Sequence, residues 1–193
     1  MSSNFFAMLS RMKYINRWGL MNNTREENIA EHSLEVAILA HALVTISNKR
    51  LGTELSADRA AVMAIFHDSS EIITGDLPTP VKYYNDDIRD SYKQIEEISE
   101  KHLLSMLPDY LYDEYTPLIL SSDADKELLP YVKAADKLSA LIKCINELSM
   151  GNREFTKAER TIRETIEGIE LEAVKIFLRE FLPSYELTLD ELN

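Results

Sequence analysis

Apolar residues recur along this chain at intervals of three and four positions, and no run of alternating apolar and polar residues stands out. The first spacing places side chains on one face of an α-helix, whereas a half-buried strand would alternate at every second position. Only five glycines and six prolines interrupt the 193 residues, which leaves few turns. The pattern therefore predicts an all-α fold, and the length fits one domain over residues 1–193.

The same spacing divides the chain into predicted helical segments. They cover residues 4–14, 28–48, 56–71, 83–112, 130–151 and 152–183. Asn28, followed three residues later by Glu31, has the form of a capping box, and Gly151 is placed to end a helix. Residues 75–80 contain a glycine and two prolines and cannot be helical throughout, and residues 116–125 are predicted as a short connection. We therefore expect a helical bundle with one stiff loop.

One predicted helix is almost without polarity until its last turn. Residues 60–66 are all apolar, which predicts a helix that is buried nearly all round. His67, Asp68 and Glu71 follow, at spacings that place them on one side of a continuing helix. Burying an imidazole and two carboxylates without partners is costly. The stretch therefore predicts a metal ion as their partner.

Two other predicted helices each place a polar side chain among apolar neighbours. His32 shares its face with Val36, and Asp136 lies among apolar or small residues. Each has an ordinary alternative, since a lone inward histidine is usually a satisfied core residue and Lys133 offers Asp136 a salt bridge. His41 lies half-way round the helix from His32, so the two histidines cannot bind one ion.

Two features near these residues fit a phosphate and a sugar. Arg17 precedes the only tryptophan, Trp18; arginine binds phosphate in a bidentate manner, and tryptophan offers a flat surface to a base or sugar. A surface arginine beside a core tryptophan is the alternative that the two residues alone favour. In the loop of residues 75–80, Asp76 and Thr79 offer short hydrogen-bonding side chains, and an ordinary turn is the alternative there.

Charge and composition restrict the kinds of partner that the protein is expected to bind. The net charge is −12 and the pI is near 4.8, so most of the surface would repel a nucleic-acid backbone. A small phosphate ester is not excluded, because one or two local cations and a metal can override the overall negative charge. No apolar run approaches the length of a membrane span and no signal pattern opens the chain, so we expect no membrane partner. Cys144 is the only cysteine, which excludes a disulfide within the chain and fits a cytoplasmic location.

The order His32, His67-Asp68, Asp136 on successive predicted helices resembles the HD-domain superfamily of metal-dependent phosphohydrolases. A closer resemblance, to the bacterial 5′-deoxynucleotidase (YfbR-type) family, extends over nearly the whole chain. It rests on Phe5-Phe6-Ala7, Arg17-Trp18, Glu31-His32-Ser33, His67-Asp68-Ser69-Ser70-Glu71, Thr74-Gly75-Asp76-Leu77-Pro78-Thr79-Pro80 and Leu187-Thr188-Leu189-Asp190-Glu191.

This resemblance implies an HD-domain helical fold and a homodimer that hydrolyses deoxyribonucleoside 5′-monophosphates to deoxyribonucleoside and phosphate. It implies one divalent ion (Co, Mn, Zn or Mg) held by His32, His67, Asp68 and Asp136. The implied catalytic residues are Glu71 as general acid/base, Arg17 and Asp68. The implied substrate-binding residues are Arg17, Trp18, Asp68, Asp76, Leu77, Pro78 and Thr79.

Three other functions compete with this expectation. An HD-domain phosphohydrolase with broader nucleotide specificity would use the same residues. A dinuclear phosphodiesterase needs additional metal-binding histidines, and only His41 and His102 remain. A nucleotide-binding helical protein without catalysis would have no need of a proton-transfer group such as Glu71.

Overall fold

The computed structural model describes residues 2–82, 84–120 and 125–192 and is built from helices. Within these ranges no strand occurs, and the only bridge of strand type joins Asn16 to Asn28. The α-helices are α1 (Phe5–Leu9), α2 (Ile29–Ile46), α3 (Ala57–Phe66), α4 (Glu71–Thr74), α5 (Thr79–Lys82), α6 (Asp86–Leu104), α7 (Asp109–Ile119), α8 (Leu129–Ser149), α9 (Thr156–Glu167) and α10 (Glu172–Glu180). The all-α prediction is confirmed.

The main core lies where α2, α3 and α8 pack together. Val36 and Leu43 of α2, Ala64 of α3, and Leu138 and Leu141 of α8 are fully buried there. Burying one such branched side chain contributes about 1.5–3 kcal/mol relative to exposure, so these contacts fix the relative positions of the three helices. These are also the helices that carry or precede the predicted metal ligands.

A second cluster closes one end of the bundle. Phe5 of α1 packs with Leu103 and Leu104 of α6, and the ring of Tyr115 lies edge-on to Phe5 and to Phe66 at centroid distances of 5.2 and 5.8 Å. Such edge-to-face contacts add to the stabilisation from burial. The cluster therefore holds the C-terminal end of α3 in place, immediately before His67.

Helix caps fix where the site helices begin. The Oδ1 atom of Asn28 accepts hydrogen bonds from the backbone nitrogens of Ala30 and Glu31, both at 3.0 Å. This is the N-cap predicted from the sequence, and it starts α2 at Ile29, so that His32 lies in the first turn. The predicted C-terminal signal is also confirmed, since Gly151 has a φ of 85° directly after α8.

Helix α2 continues as a short π-helix over Ser47–Leu51, and the combined helix Ile29–Leu51 is the one described helix that is long and apolar enough to cross a membrane. Its most apolar window is 50% buried inside the bundle, and core residues such as Leu39 and Leu43 lie within it. Length and composition alone do not distinguish a membrane span from a core helix of a globular protein, and α2 is a core helix in this structure.

The prediction of one helix through residues 56–71, buried nearly all round, is wrong in two respects. Helix α3 ends at Phe66, and residues 67–70 form a turn before the short helix α4. The turn is tight because the backbone nitrogens of Ser69 and Glu71 bond three residues back, to Phe66 and Asp68. In addition, Val62 and Ile65 are 37% and 41% exposed, so α3 buries only one face.

The segments predicted over 83–112 and 152–183 are also interrupted. Residues 105–108 separate α6 from α7, as expected ahead of Pro108 at the N-terminus of α7. Helix α7 extends to Ile119, into the connection predicted for 116–125, whereas Tyr83 and residues 121–124 lie outside the described ranges. The C-terminal segment forms α9 and α10. Thr79 starts the short helix α5 inside the predicted loop, and a proline in a first helical turn loses no hydrogen bond.

Candidate active site

His32 lies on α2 at the centre of a polar cluster and is 1% exposed. Its Nε2 atom is 3.2 Å from Oδ1 of Asp136 on α8 and 3.5 Å from Oδ2 of Asp68. Its other ring nitrogen, Nδ1, is 3.0 Å from the hydroxyl of Ser139. Both ring nitrogens therefore have polar partners, and Nε2 faces two carboxylates at once.

His67 supplies the second imidazole from the turn that ends α3. Its Nδ1 lies 2.7 Å from the carbonyl oxygen of Ala64, an acceptor, so Nδ1 carries the hydrogen and Nε2 presents a lone pair. Nε2 is 3.2 Å from Oδ2 of Asp68, yet it is buried and makes no hydrogen bond to any described residue. We regard the contact with Asp68 as proximity between two acceptors, which is unfavourable unless a cation lies between them.

The donor atoms of this cluster suit a divalent cation. One ligand atom from each of His32, His67 and Asp68 lies within 4.8 Å of the others, and Asp136 adjoins them through its contact with His32. Two imidazoles with carboxylates form a donor set that binds Zn, Mn or Co. The unpartnered Nε2 of His67 is the feature that a bound ion would satisfy. The residues present therefore fit the predicted metal.

Electrostatics keep the cluster in the protonation state that a metal requires. Burial lowers the pKa of His32, which favours the neutral imidazole. Burial alone would raise the pKa of Asp136, but the contact with His32 and the charge of Lys137 outweigh it and hold that pKa below its ordinary value. The Nζ atom of Lys137 is 3.1 Å from Asp136, so the cation beside Asp136 is Lys137 and not Lys133.

Glu71, at the start of α4, is a buried carboxyl group with 6% exposure. Its Oε2 atom makes no hydrogen bond to the described part of the chain. Burial, with the negative charges of Asp68 and Asp76, raises the pKa of Glu71 to about 9. In the metal-free protein near pH 7 this group is therefore a neutral acid that holds a proton close to the cluster.

Arg17 reaches the cluster from residues 16–28, which we call the strap. Its Nη1 lies 3.3 Å from Oδ2 of Asp68 and its Nε lies 3.2 Å from Oε2 of Glu27. Only 12% of its side chain is exposed, so the alternative of a surface arginine is wrong. Burial alone would lower the pKa of Arg17, but Asp68 and the other nearby carboxylates raise it. A permanent positive charge thus adjoins the ligand set.

Trp18 links the strap to the loop behind Glu71. Its indole nitrogen donates to Glu27 at 3.0 Å, its backbone nitrogen donates to Oδ2 of Asp76 at 3.2 Å, and its ring lies 5.4 Å from that of Phe155. Trp18 also has a φ of 60°, which is uncommon for a residue other than glycine and is typical of functional segments. Burial raises the pKa of Asp76.

The remaining residues that are predicted to bind the substrate follow Asp76 directly in the sequence. Leu77 and Pro78 are partly buried, Thr79 is exposed, and the carbonyl oxygen of Pro78 accepts hydrogen bonds within the first turn of α5. Their part in sugar binding stays a prediction. His41 and His102, the other two histidines, lie outside the cluster; both are exposed, and Nε2 of His41 is 3.5 Å from Asp58.

The sequence analysis missed Glu147, which anchors the strap to α8. Glu147 is fully buried and accepts hydrogen bonds from the backbone nitrogens of Thr24 and Arg25 at 2.9 and 3.2 Å, and from Lys143 and Asn152. Burial alone would raise the pKa of Glu147, but these hydrogen bonds, that of Lys143 first, lower it to about 2. The available signal was Lys143 and Glu147, a pair of opposite charges at i,i+4 within a helix rich in apolar residues.

Comparisons with known proteins agree with this geometry. A family model described as YfbR-like 5′-deoxynucleotidase matches residues 4–185. A 5′-deoxynucleotidase of Vibrio atlanticus (strain LGP32) is 49% identical over 99% of this chain and 98% of its own length. The 5′-deoxynucleotidase YfbR of Salmonella typhi is 50% identical, with 99% and 96% covered.

Solved structures show the same fold. An HD-domain phosphohydrolase from Listeria innocua superimposes with a TM-score of 0.80 at 28% identity, covering 94% of this chain and 88% of that one. The cyanophage S-2L HD phosphohydrolase DatZ, described as bound to dA and one catalytic Zn²⁺, has a TM-score of 0.66 at 20% identity, with 94% and 96% covered. The predicted HD-domain fold is thereby confirmed.

Proposed function

The chain belongs to the YfbR-like 5′-deoxynucleotidase family, and on that basis we propose that it hydrolyses deoxyribonucleoside 5′-monophosphates to deoxyribonucleoside and phosphate. The observation that carries the proposal is the buried donor set around the unpartnered Nε2 of His67, bordered by a cation at Arg17 and the buried carboxyl group of Glu71. These are the parts that hydrolysis of a phosphate monoester needs: a metal site, a phosphate clamp and a proton-transfer group.

His32, His67, Asp68 and Asp136 would hold one divalent ion. Such an ion, when bound, neutralises phosphate charge and lowers the pKa of a coordinated water molecule. The protein contributes to this chemistry through the fixed tautomer of His67, whose Nδ1 is held by Ala64, and through the low pKa of Asp136. The first leaves Nε2 of His67 free to bind a cation, and the second keeps Asp136 ionised.

Arg17 would bind the substrate phosphate. Its guanidinium group already lies against Asp68, and a phosphate entering beside the donor set would offer oxygens that suit its planar, bidentate geometry. Because Glu27 also holds the Nε atom, the guanidinium group is oriented before substrate arrives. Such preorganised charge stabilises the charge that develops on the phosphoryl oxygens during transfer.

Glu71 would serve as the general acid/base. In hydrolysis the oxygen of water forms a bond to phosphorus, the bond from phosphorus to O5′ breaks, and O5′ must gain a proton to leave as an alcohol. The buried carboxyl group of Glu71 can take up the proton released by the water molecule and deliver it to O5′.

The loop of residues 75–80 and Trp18 would form the nucleoside pocket. The hydrogen bond between the backbone of Trp18 and Asp76 joins the strap to this loop beside the proposed phosphate site. We propose that Asp76, Leu77, Pro78 and Thr79 contact the sugar and leave no room, or no partner, for a 2′-hydroxyl group. Unpaired polar groups in a closed site are a strong basis for rejection.

We further propose that residues 1–193 act as one domain, that the enzyme is a homodimer, and that it works in the cytoplasm. The dimer is what the resemblance noted in the sequence implies, and the single cysteine, Cys144, which is buried and free, is compatible with a reducing compartment. Sedimentation velocity tests the dimer: a species of one chain at micromolar concentration would contradict it.

The experiment that tests the proposed function measures phosphate release from a matched pair, a deoxyribonucleoside 5′-monophosphate and its ribonucleotide, with Co²⁺, Mn²⁺, Mg²⁺ or a chelator present. We expect metal-dependent release from the deoxy compound alone. Release from both compounds would keep the metal-dependent chemistry and replace the proposal with a broader nucleotidase. No release with any metal would contradict the proposal.

A further inference from the structure

A chain of hydrogen bonds leads from His32 in the candidate metal centre to Glu35, further along α2. The Nδ1 atom of His32 is 3.0 Å from Oγ of Ser139, and Oγ of Ser139 donates to Oε2 of Glu35 at 2.6 Å. His32 and Ser139 are almost fully buried, with 1% and 0% exposure. Glu35 borders a cavity of about 550 Å³ that Glu31 also lines. These hydrogen bonds therefore connect the ligand set to the wall of this cavity.

The single hydrogen of the Ser139 hydroxyl group determines which group donates in each of these hydrogen bonds. The hydroxyl group of Ser139 has one hydrogen, and it is donated to Glu35 at a short distance. The oxygen of Ser139 can then only accept from His32, so Nδ1 must carry the hydrogen. In the neutral imidazole, Nε2 is left with a lone pair that faces Asp136 and Asp68. That is the tautomer in which histidine binds a metal through Nε2.

Glu35 is needed because Ser139 could otherwise donate in the opposite direction. Without an acceptor at position 35, the hydroxyl hydrogen is free to point at Nδ1 of His32, which would place the imidazole hydrogen on Nε2, between His32 and the carboxylates. A metal would then have to displace that hydrogen before binding. The acceptor role does not require a charge, since a side-chain carbonyl oxygen at the same place accepts the same hydrogen.

We propose that Glu35, acting through Ser139, is a positioning residue that holds His32 in its metal-binding tautomer. This inference rests on the metal site of the proposed function and adds residues to it that touch neither the substrate nor the ion. Partners of metal-binding histidines commonly change metal affinity by about 10- to 100-fold when removed. Glu35 has the same kind of effect here, transmitted by one hydroxyl group.

The test compares binding of Zn²⁺ or Co²⁺, measured by calorimetric titration, in Glu35→Ala, Glu35→Gln and a matched control. Glu31→Ala is that control, because Glu31 lies one turn away on α2 and lines the same cavity without contacting Ser139. Its replacement therefore removes a carboxylate from the same cavity and leaves the hydrogen bond of Ser139 in place. We expect Glu35→Ala to weaken metal binding by about 10- to 100-fold, while Glu35→Gln and Glu31→Ala stay near the wild-type affinity.

The Gln variant separates the hydrogen bond from the charge. If Glu35→Gln or Glu31→Ala loses as much affinity as Glu35→Ala, negative charge near the site explains the loss and the inference is overturned. It is overturned as well if Glu35→Ala binds the metal as tightly as the wild type. By contrast, a wild-type protein that binds no divalent ion would contradict the proposed metal site itself, which distinguishes the two failures.

A double-mutant cycle adds a second criterion. Ser139→Ala should lose about as much metal affinity as Glu35→Ala, and the double variant should lose no more than either single variant, because both residues act through one hydrogen-bonded chain. Additive losses would contradict a shared chain. Melting temperatures of the metal-free variants serve as the control for folding. If Glu35 had a purely structural role, the melting temperature would fall in Glu35→Ala and would not be restored in Glu35→Gln.

Discussion

The guanidinium Nη1 of Arg17 lies 3.3 Å from Oδ2 of Asp68, although 51 positions separate the two residues in the chain. One is a cation on the strap and the other is a carboxylate in the turn after α3. Their contact joins the residue that we propose binds phosphate to the proposed metal site. If these roles hold, the position of the strap determines whether Arg17 can reach the phosphate.

Replacing Arg17 should therefore impair catalysis without removing the metal. We expect Arg17→Ala to lower kcat/KM for a deoxyribonucleoside 5′-monophosphate by about 100-fold or more, because a preorganised donor to the developing charge is lost. Arg17→Lys should recover only part of the activity, since lysine cannot bind in a bidentate manner.

Arg25→Ala is the matched control for Arg17, because Arg25 belongs to the same strap and its side chain is exposed. Steady-state kinetics and metal titration on the same preparations provide the measurement. Equal activity in Arg17→Ala and Arg25→Ala would remove Arg17 from the phosphate site.

Glu71 should be needed for turnover and not for metal binding. Replacing a general acid/base typically costs about 10²- to 10⁴-fold in rate, and we expect Glu71→Gln to lower kcat within that range. The isosteric amide keeps the volume of the buried side chain, so substrate and metal affinities should change little. Unchanged kcat in Glu71→Gln would rule out the proton-transfer role.

The pKa of Glu71 also predicts a dependence of stability on pH. Its folded-state pKa is about 9, against an ordinary value of 4.5, so the folded state binds this proton more tightly than the unfolded state. The stabilisation is fully present below the unfolded pKa and is lost as the pH rises from about 4.5 to about 9. Glu71→Gln, which has no proton to lose, should show a smaller decline.

Urea unfolding of the chelated wild type and of Glu71→Gln at pH 5, 7 and 9 measures this difference. Chelation is essential, because a bound cation would lower the pKa of a nearby carboxyl group. Parallel declines in the free energy of unfolding for the two proteins would contradict the raised pKa.

Glu147 should be required for the stability of the strap. Removing one partner of a buried ion pair costs about 3–5 kcal/mol, and we expect Glu147→Ala to lose that much, since Lys143 loses its counter-ion and the strap amides lose their acceptor. Replacing both partners, as in Lys143→Met with Glu147→Leu, should recover part of the loss but not the hydrogen bonds to the strap. Urea unfolding gives the free energies.

A kinetic measurement separates the two effects of Glu147. Because Glu147 holds the strap that carries Arg17 and Trp18, KM should rise in the double variant even where its stability recovers. A double variant with wild-type KM would show that the strap is held without Glu147.

The sequence predicted those parts of the site that local patterns determine. His32 was placed correctly because Asn28 fixes the start of α2 and an apolar face sets the direction of the side chain. The turn after Phe66 was missed because its three-residue hydrogen bonds produce no distinctive pattern. Glu147 was missed for another reason: its partners Thr24 and Arg25 are more than 120 positions away, and sequence spacing carries no information about such contacts.

The most direct test of the central claim is a calorimetric titration of metal-free protein with Co²⁺ or Zn²⁺, comparing the wild type with His67→Ala and His41→Ala. His67 has the unpartnered Nε2 in the cluster, whereas His41 is exposed on the far side of α2 and serves as the control. We predict one tightly bound ion per chain in the wild type and in His41→Ala, and loss of that binding in His67→Ala together with loss of hydrolysis. A His67→Ala variant that binds one ion with wild-type affinity would contradict the assignment of this cluster as the metal centre.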